Sequence, residues 1–288
     1  MKTIELESLY KLFRDHEVVM GTSRTTIVAL QSFRDSIQRL RCPPDTFENL
    51  LLELDQVIKN TQPKIIPLVH LIEAFEIEMQ PHFGKPLSEA KACALAILDQ
   101  KLALFKSAID RVVDHGKRLI EDGDVIIAHS PSLVVRSALT MAHTDLHRQF
   151  RVIVLERQFV RIKQLIRDLA ASGIEHLVIP EYNLSHFLKT ATKLLLGATS
   201  VTPDRKVITM VGSANIVGLC RLSGIPVYLL ANSLKFAHKS VAGQKIYKTD
   251  QKQSKENLTY MQTTFSHDMV DLDLIDHVIT EEGEFPGK

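Results

Sequence analysis

Hydroxyl and carboxylate side chains recur in this chain where an apolar run ends and a turn begins. His129, Ser130 and Ser132 follow the run DVIIA, Glu156 and Arg157 follow RVIVL, and Glu181 follows HLVIP. Thr199 and Ser200 follow KLLLGA, and Asn232 closes VYLLAN with Lys235 three residues on. Hydroxyls at a turn leading into a helix can hold a phosphate alongside the first amide groups of that helix. The same serines can simply cap the helix, and both readings stay open for Ser130 and Ser132. Thr209, Met210, Gly212, Ser213 and Asn215 form another such group, with a glycine for the turn and a hydroxyl at the helix start. A helix cap without any ligand explains that group equally well. Glu156 and Glu181 can accept hydrogen bonds from a ligand or merely face water. Gly21, Thr22, Ser23 and Arg24 stand ahead of the first strongly apolar helix, where an N-cap followed by a solvated arginine is the simpler reading. His143 and His147 have the i, i+4 spacing of zinc chelation, but Thr144 occupies the place of the glutamate in a metalloprotease motif, and an incidental pair is the simpler reading. No P-loop and no GxGxxG occurs.

The elements around these residues follow an α/β pattern. Residues 193–236 read as apolar strand, polar turn, short extended segment, Gly-Ser turn, helix, second apolar strand and basic loop. Ser223 and Gly224 close the helix. Upstream, DVIIAHS, RVIVLE and HLVIPE are strands, each followed by a predicted helix: Ser132 to about His147, FVRIKQLIRDLAAS and SHFLKTA. Strands alternating with helices imply parallel pairing with right-handed crossovers, and function in such sheets collects at the carboxyl ends of the strands. Before Asp122 the period is helical throughout. Leu30, Phe33, Ile37 and Leu40 share one face, and Ala94, Leu98, Leu102, Phe105, Ile109 and Val113 share another on a long helix from Leu87. The expected architecture is an N-terminal helical domain, 1–121, followed by a Rossmann-like parallel-sheet domain, 122–288. Residues 237–263, rich in Lys, Gln and Ser, read as a mobile surface excursion.

Composition narrows the classes. Hydrophobic residues make up 45% of the 288 and charged residues 24%, which suits a soluble globular fold. A net charge of +1 gives no basic surplus for gripping nucleic acid. The three cysteines, Cys42, Cys93 and Cys220, lie at no metal or redox spacing, and reduced thiols in a cytoplasmic protein are expected. The opening MKTIELESLYKLF carries charges too closely spaced for a signal-peptide core, and no run reaches the length of a membrane span.

The pattern GATSV…KVITMVGS…GIPVYLLANSLKF resembles the C-terminal domain shared by three groups of proteins. These are the α, β and δ regulatory subunits of translation initiation factor 2B, ribose-1,5-bisphosphate isomerases and methylthioribose-1-phosphate isomerases. EDGDVIIAHSPSLVVRSAL and DHVITEEG resemble further segments of the family, so the likeness runs over residues 122–283. The resemblance implies that Ser130 and Thr199 stand where the isomerases have a catalytic cysteine and a proton-shuttling aspartate. Thr209 and Met210 stand where the family has an asparagine and a lysine at the pocket. Glu156 matches a family glutamate, Gln158 replaces the arginine that follows it, and Glu181 stands in an aspartate position. Arg24 corresponds to a segment that closes the pocket, and the lysine at Lys235 is kept. The implied ligand-binding set is Arg24, His129, Ser130, Ser132, Glu156, Arg157, Glu181, Gly212, Ser213 and Lys235, with no cofactor and no metal.

A hydroxyl is far less acidic than a thiol or a carboxyl group, and a positioned acid or base contributes about 10²–10⁴ in rate. Ser130 and Thr199 therefore argue against catalysis. The leading expectation is a non-catalytic protein similar to the regulatory subunits. It would form a homodimer or larger homo-oligomer through its α/β domain and bind a sugar phosphate or nucleotide phosphate. The resemblance further implies related initiation factor 2B subunits and initiation factor 2 as partners. The alternative is an aldose-ketose isomerase of a phosphorylated pentose.

Overall fold

The computed structural model describes residues 19–59, 64–129, 132–238, 246, 248–256 and 258–287. Ser130 thus lies outside the described residues. Four helices precede the first strand: α1 (Thr22–Arg39), α2 (Pro44–Lys59), α3 (Ile66–Met79) and α4 (Leu87–Arg118). Leu30, Phe33 and Ile37 are buried along α1, one to each turn, and Phe33 meets Phe75 of α3 edge to face at 5.4 Å between ring centroids. Along α4, Ala94, Leu98, Phe105, Ile109 and Val113 form the buried stripe that the spacing predicts.

Beyond Gly123, whose φ of +85° turns the chain, strands and helices alternate. In order they are β1 (Val125–Ala128), α5 (Leu133–Thr144), β2 (Arg151–Glu156), α6 (Phe159–Ala171), β3 (Glu175–Pro180), β4 (Lys193–Gly197), β5 (Ser200–Val201), β6 (Lys206–Met210), α7 (Ser213–Leu222) and β7 (Val227–Leu230). The remainder is strand: β8 (Lys248–Lys255), β9 (Leu258–Phe265), β10 (His267–Asp271), β11 (His277–Thr280) and β12 (Gly283–Pro286). Seven strands form the main sheet in the order β12-β11-β7-β4-β1-β2-β3, parallel throughout except for the last hairpin, β11 with β12. β10, β6 and β5 make a small antiparallel sheet, and β8 and β9 a separate ribbon.

All five residues of β4 are buried, as a central parallel strand requires. Alternate residues serve two cores. Ile126, Ala128, Val152, Val154, Leu195 and Ile279 join the helices α1–α6. Ile127, Ile153, Leu155, Leu194, Leu196 and Leu229 face the other way, toward Ile216, Val217 and Cys220 of α7. The α4 helix lies directly against the sheet. A Cβ on Gly116 would come within 2.6 Å of Leu230 and 3.3 Å of Ala138, so glycine permits this approach. The helical layer and one face of the sheet consequently share a single core.

Three expectations need correction. The helix after Ser132 stops at Thr144, and His147 lies past its end at φ +55°. SHFLKTA is no α-helix: a 3-10 turn over Glu181–His186 leads on by turns to β4. Of the Lys, Gln and Ser-rich excursion, the described residues from Lys248 on form a paired and largely exposed β ribbon. Among the described residues no helix is long and apolar enough to cross a membrane.

Candidate functional site

Strand order reverses between β1 and β4, because the connection after β1 leads to β2 on one side while β4 lies on the other. A crevice opens outside the carboxyl ends at such a point, and here it is a cleft lined by seven segments of the chain. The end of β4 contributes Gly197, Ala198 and Thr199, and β6 contributes Thr209 and Met210. The start of α5 brings Ser132 and Leu133, and the start of α1 brings Gly21, Thr22 and Ser23. Arg161, Lys235 and His267 complete the lining.

Local bonding fixes these groups. Gly21, at φ +74°, turns the chain so that its carbonyl accepts from the Thr25 amide at 3.1 Å and hydroxyl at 3.0 Å. Ser132 Oγ accepts from Val135 N at 3.4 Å as the cap of α5. The Thr199 amide donates to Ile208 O at 2.8 Å, and the Thr209 hydroxyl donates to Gly197 O at 3.0 Å, which ties β4 to β6. Lys235 is buried, and its ammonium donates to Ala198 O at 2.5 Å. Arg161 Nε donates to Gln158 Oε1 at 2.9 Å. Two helix N-termini and two cations thus converge on one cleft, a field that favours an anion.

Behind the β6 wall lies a buried polar cluster. His129 has no exposed surface; Ser213 Oγ stands 3.1 Å from its Nδ1 and Glu181 Oε2 3.2 Å from its Nε2. Burial resists ionisation of Glu181, but the hydrogen bond and charge of His129, with Arg157 beyond, hold its carboxyl below the usual range. An ionised carboxylate only accepts, so Nε2 carries the proton and Nδ1 is left to the Ser213 hydroxyl. The Thr209 hydroxyl, 3.4 Å from Ser213 Oγ, links the cluster to the cleft wall. Serine, histidine and glutamate here stand in the order of a nucleophilic relay. Ser213 is fully buried and lines no part of the cleft, so the arrangement is a structural clasp. Gly212, at φ +102°, gives the clasp its room, since a Cβ there would overlap the Glu181 carboxylate.

The N-terminus of α7 is also occupied. Asp268 Oδ2 accepts from Gly212 N at 2.9 Å and from Ala214 N at 3.0 Å. A side-chain carboxylate therefore sits where a phosphate at Gly212 and Ser213 would bind.

The sequence-predicted residues fall into three groups. Ser132, Thr199 and Lys235 line the cleft. His129, Glu181, Gly212 and Ser213 make the clasp behind it. Arg24, Glu156 and Arg157 line neither: Arg24 and Arg157 are exposed and Glu156 is half-buried. The field of Arg24 reaches Arg136, whose guanidinium burial makes less basic and whose Nη1 pairs with Asp168 at 2.6 Å. At the β7 end Asn232 is fully buried with neither amide atom bonded among the described residues, while Ser233 N donates to Glu281 at 2.8 Å. His143 Nδ1 meets Arg148 O at 2.9 Å, and among the described residues no three His, Cys, Asp or Glu could hold a metal.

Sequence reasoning missed Arg161, His267 and Asp268. Arg161 is the third residue of α6, in the first turn after the β2 end, a position that was there to be read. His267 and Asp268 begin a strand that pairs antiparallel with β6, a contact that no local pattern marks.

The chain belongs to the initiation factor 2 subunit family, whose model matches residues 18–287. It is 25% identical to a ribose 1,5-bisphosphate isomerase of Pyrococcus furiosus over 250 residues, 82% of this chain and 76% of that protein. It is 22% identical to translation initiation factor eIF2B subunit delta of Dictyostelium discoideum over 293 residues, 93% of this chain and 47% of that protein. The crystal structure of the Pyrococcus horikoshii translation initiation factor eIF-2B superposes with a TM-score of 0.80 at 22% identity, covering 99% of this chain and 98% of the other. Relatives thus include both initiation-factor subunits and isomerases.

Proposed function

We propose that this member of the initiation factor 2 subunit family is a non-catalytic, subunit-like protein of the cytoplasm. It binds a phosphorylated sugar, or the phosphate of a nucleotide, in the cleft at the β1–β4 switch point. Its helical unit, 1–121, and its sheet unit, 122–288, close the cleft between them. It self-associates through the sheet unit and assembles with related initiation factor 2B subunits to act on initiation factor 2.

One observation carries the reading: the cleft attracts anions yet has no carboxylate and no thiol among its described lining residues. Thr199 holds the wall position where the resemblance implies a proton-shuttling aspartate, and Met210 the position of a lysine. The carboxylate of Glu181 is turned away into the clasp with His129. Ligand binding without turnover follows from that inventory. Incubation with ribose 1,5-bisphosphate raises the melting temperature in proportion to ligand occupancy while carbon NMR detects no ketose. Ketose formation overturns the proposal, and so does the absence of any thermal shift with every phosphorylated sugar and nucleotide tried.

A second reading, aldose-ketose isomerisation, is favoured by His267. Imidazole is the side chain best suited to carry protons near neutrality, and this one lines the cleft. If the protein is an isomerase, His267→Gln abolishes ketose formation and leaves ligand-induced stabilisation in place.

A further inference from the structure

Asn232 is a polar side chain buried without a use in the fold. It has no exposed surface, and neither its Oδ1 nor its Nδ2 is bonded among the described residues. An amide held out of water without a partner is costly. Native proteins keep few such groups, and each one calls for a partner from outside the chain. The backbone around this one is firmly tied. Ala231 N donates to Ile279 O at 3.0 Å, and Lys235 N donates to Asn232 O at 3.0 Å. Ser233 gives Glu281 two bonds, from its N at 2.8 Å and from its Oγ at 2.5 Å. The Leu234 carbonyl accepts a hydrogen bond from His70 of α3. The amide is therefore placed by its surroundings and not stranded in a slack turn.

The sheet sets that place beside the cleft. β7 pairs with β4 as far as Leu230 opposite Gly197. Two residues further along these strands come Asn232 and Thr199, and Thr199 lines the cleft. Asn232 is extended, at φ −70° and ψ 158°, so it shares the side of Leu230, which belongs to the helical core. Helix α1 packs into that same core, and its first residues, Thr22 and Ser23, line the cleft. Lys235, at the end of the turn that Asn232 opens, lines it too. Asn232 itself lies beneath the lining.

We propose that Asn232 is the floor of a neutral subsite of this cleft, one that selects a phosphorylated sugar by its ring hydroxyls. The inference rests on the cleft being a ligand site. An ionised phosphate or carboxylate only accepts hydrogen bonds and would leave Oδ1 orphaned, whereas an ammonium only donates and would orphan Nδ2. A hydroxyl does both, and two neighbouring hydroxyls satisfy Oδ1 and Nδ2 together. The anionic end of the ligand goes to the N-termini of α1 and α5 and to Lys235. The Lys235 ammonium exchanges the Ala198 carbonyl for that anion, which opens the way to the amide. Charge thus attracts the ligand, and Asn232 decides which sugar stays.

Isothermal titration calorimetry on the full chain tests this with ribose 1,5-bisphosphate and its 2-deoxy and 3-deoxy analogues as probes. The wild-type chain binds the parent sugar about 10-fold more tightly than at least one analogue, the effect of one lost hydrogen bond. Asn232→Leu removes both polar atoms at similar volume, and it binds all three sugars alike, with the affinity of the wild type for the weaker analogue. The analogue series needs only the wild-type chain, so a leucine that packs badly leaves the test intact. Equal affinity of the wild type for all three sugars overturns the proposal. So does a preference that survives in Asn232→Leu, the result expected if an ordered water alone satisfies the amide. A wild-type chain that binds none of the three overturns the cleft reading along with it, so the two failures are told apart.

Discussion

The clasp behind the cleft holds a half-buried carboxylate and the contact between α2 and α3 a fully buried one, with opposite consequences for the proton. Glu181 meets His129 at 3.2 Å, and its carboxyl is held below the ordinary range despite burial. Asp55, 1% exposed on α2, is pushed up to about 8 by burial first and then by the neighbouring charge of Glu76, against a smaller pull from Lys59. The lysine is already committed: its ammonium stands 2.5 Å and 2.6 Å from the two Glu76 oxygens. Burial raises both carboxyls, and the partner decides which one stays charged. At the strand ends the partner is an imidazole, whereas in the helical layer the nearest acceptor is another acid.

The largest loss is expected where the clasp is broken sterically. Gly212→Ala puts a methyl group into the Glu181 carboxylate and asks alanine to hold a φ of +102°. Strain plus the loss of the His129 bond costs about 3 kcal/mol. Urea unfolding at pH 7 measures it, and a loss under about 1 kcal/mol would mean that the Glu181–His129 bond carries little.

Asp55→Asn should act with the opposite sign. The folded carboxyl of Asp55 takes its proton well above the unfolded value of 3.8. Its contribution is therefore present in full below pH 3.8 and is lost as pH rises through about 8. The asparagine variant escapes that loss and can still donate to Glu76. It gains about 4 kcal/mol over the wild type between pH 5 and pH 8, and the gain levels off above. Unfolding curves across that range check the slope, and a pH-independent difference would show that Asp55 stays ionised.

Much of this was legible in the sequence, and the remainder was hidden for physical reasons. Strand ends followed by small or hydroxyl residues located the cleft, because parallel strands must end together on one side of the sheet. Thr199, Ser132 and Lys235 reached its wall for that reason. What could not be read is pairing across long separations. Glu181 lies 52 residues from His129, and Asp268 lies 56 from the Gly212 amide it caps. Helix α5 was extended too far because no glycine marks its end; a histidine takes the left-handed conformation instead. Asp55 hid within an amphipathic pattern whose other members are apolar.

Glu181→Gln tests the clasp more gently. The amide keeps a hydrogen bond to His129 but loses the charge, at a cost of about 1–2 kcal/mol near neutrality. Because the folded carboxyl is depressed, the difference is full above the unfolded value of 4.5 and vanishes as pH falls through the lower folded value. A cost that persists in acid would assign the loss to packing.

Cys220 supplies the limiting case, a buried titrating group on which burial is the one influence. Desolvation alone pushes its thiol up to about 12. The raised value leaves the neutral form in place below the ordinary 9.0, and stability is lost only as pH climbs through about 12. Cys220→Ala should therefore cost about 1 kcal/mol for lost packing between α7 and the sheet, by the same amount at pH 5 and at pH 8. Ellman's reagent should find at most Cys42 and Cys93, both half-buried, in the native chain at pH 8 and the third thiol only on unfolding. A third native thiol reacting at that pH would place a cation or a donor beside Cys220. The distinction drawn between Glu181 and Asp55, that the partner and not the depth sets the direction, would then extend to a site where burial now stands alone.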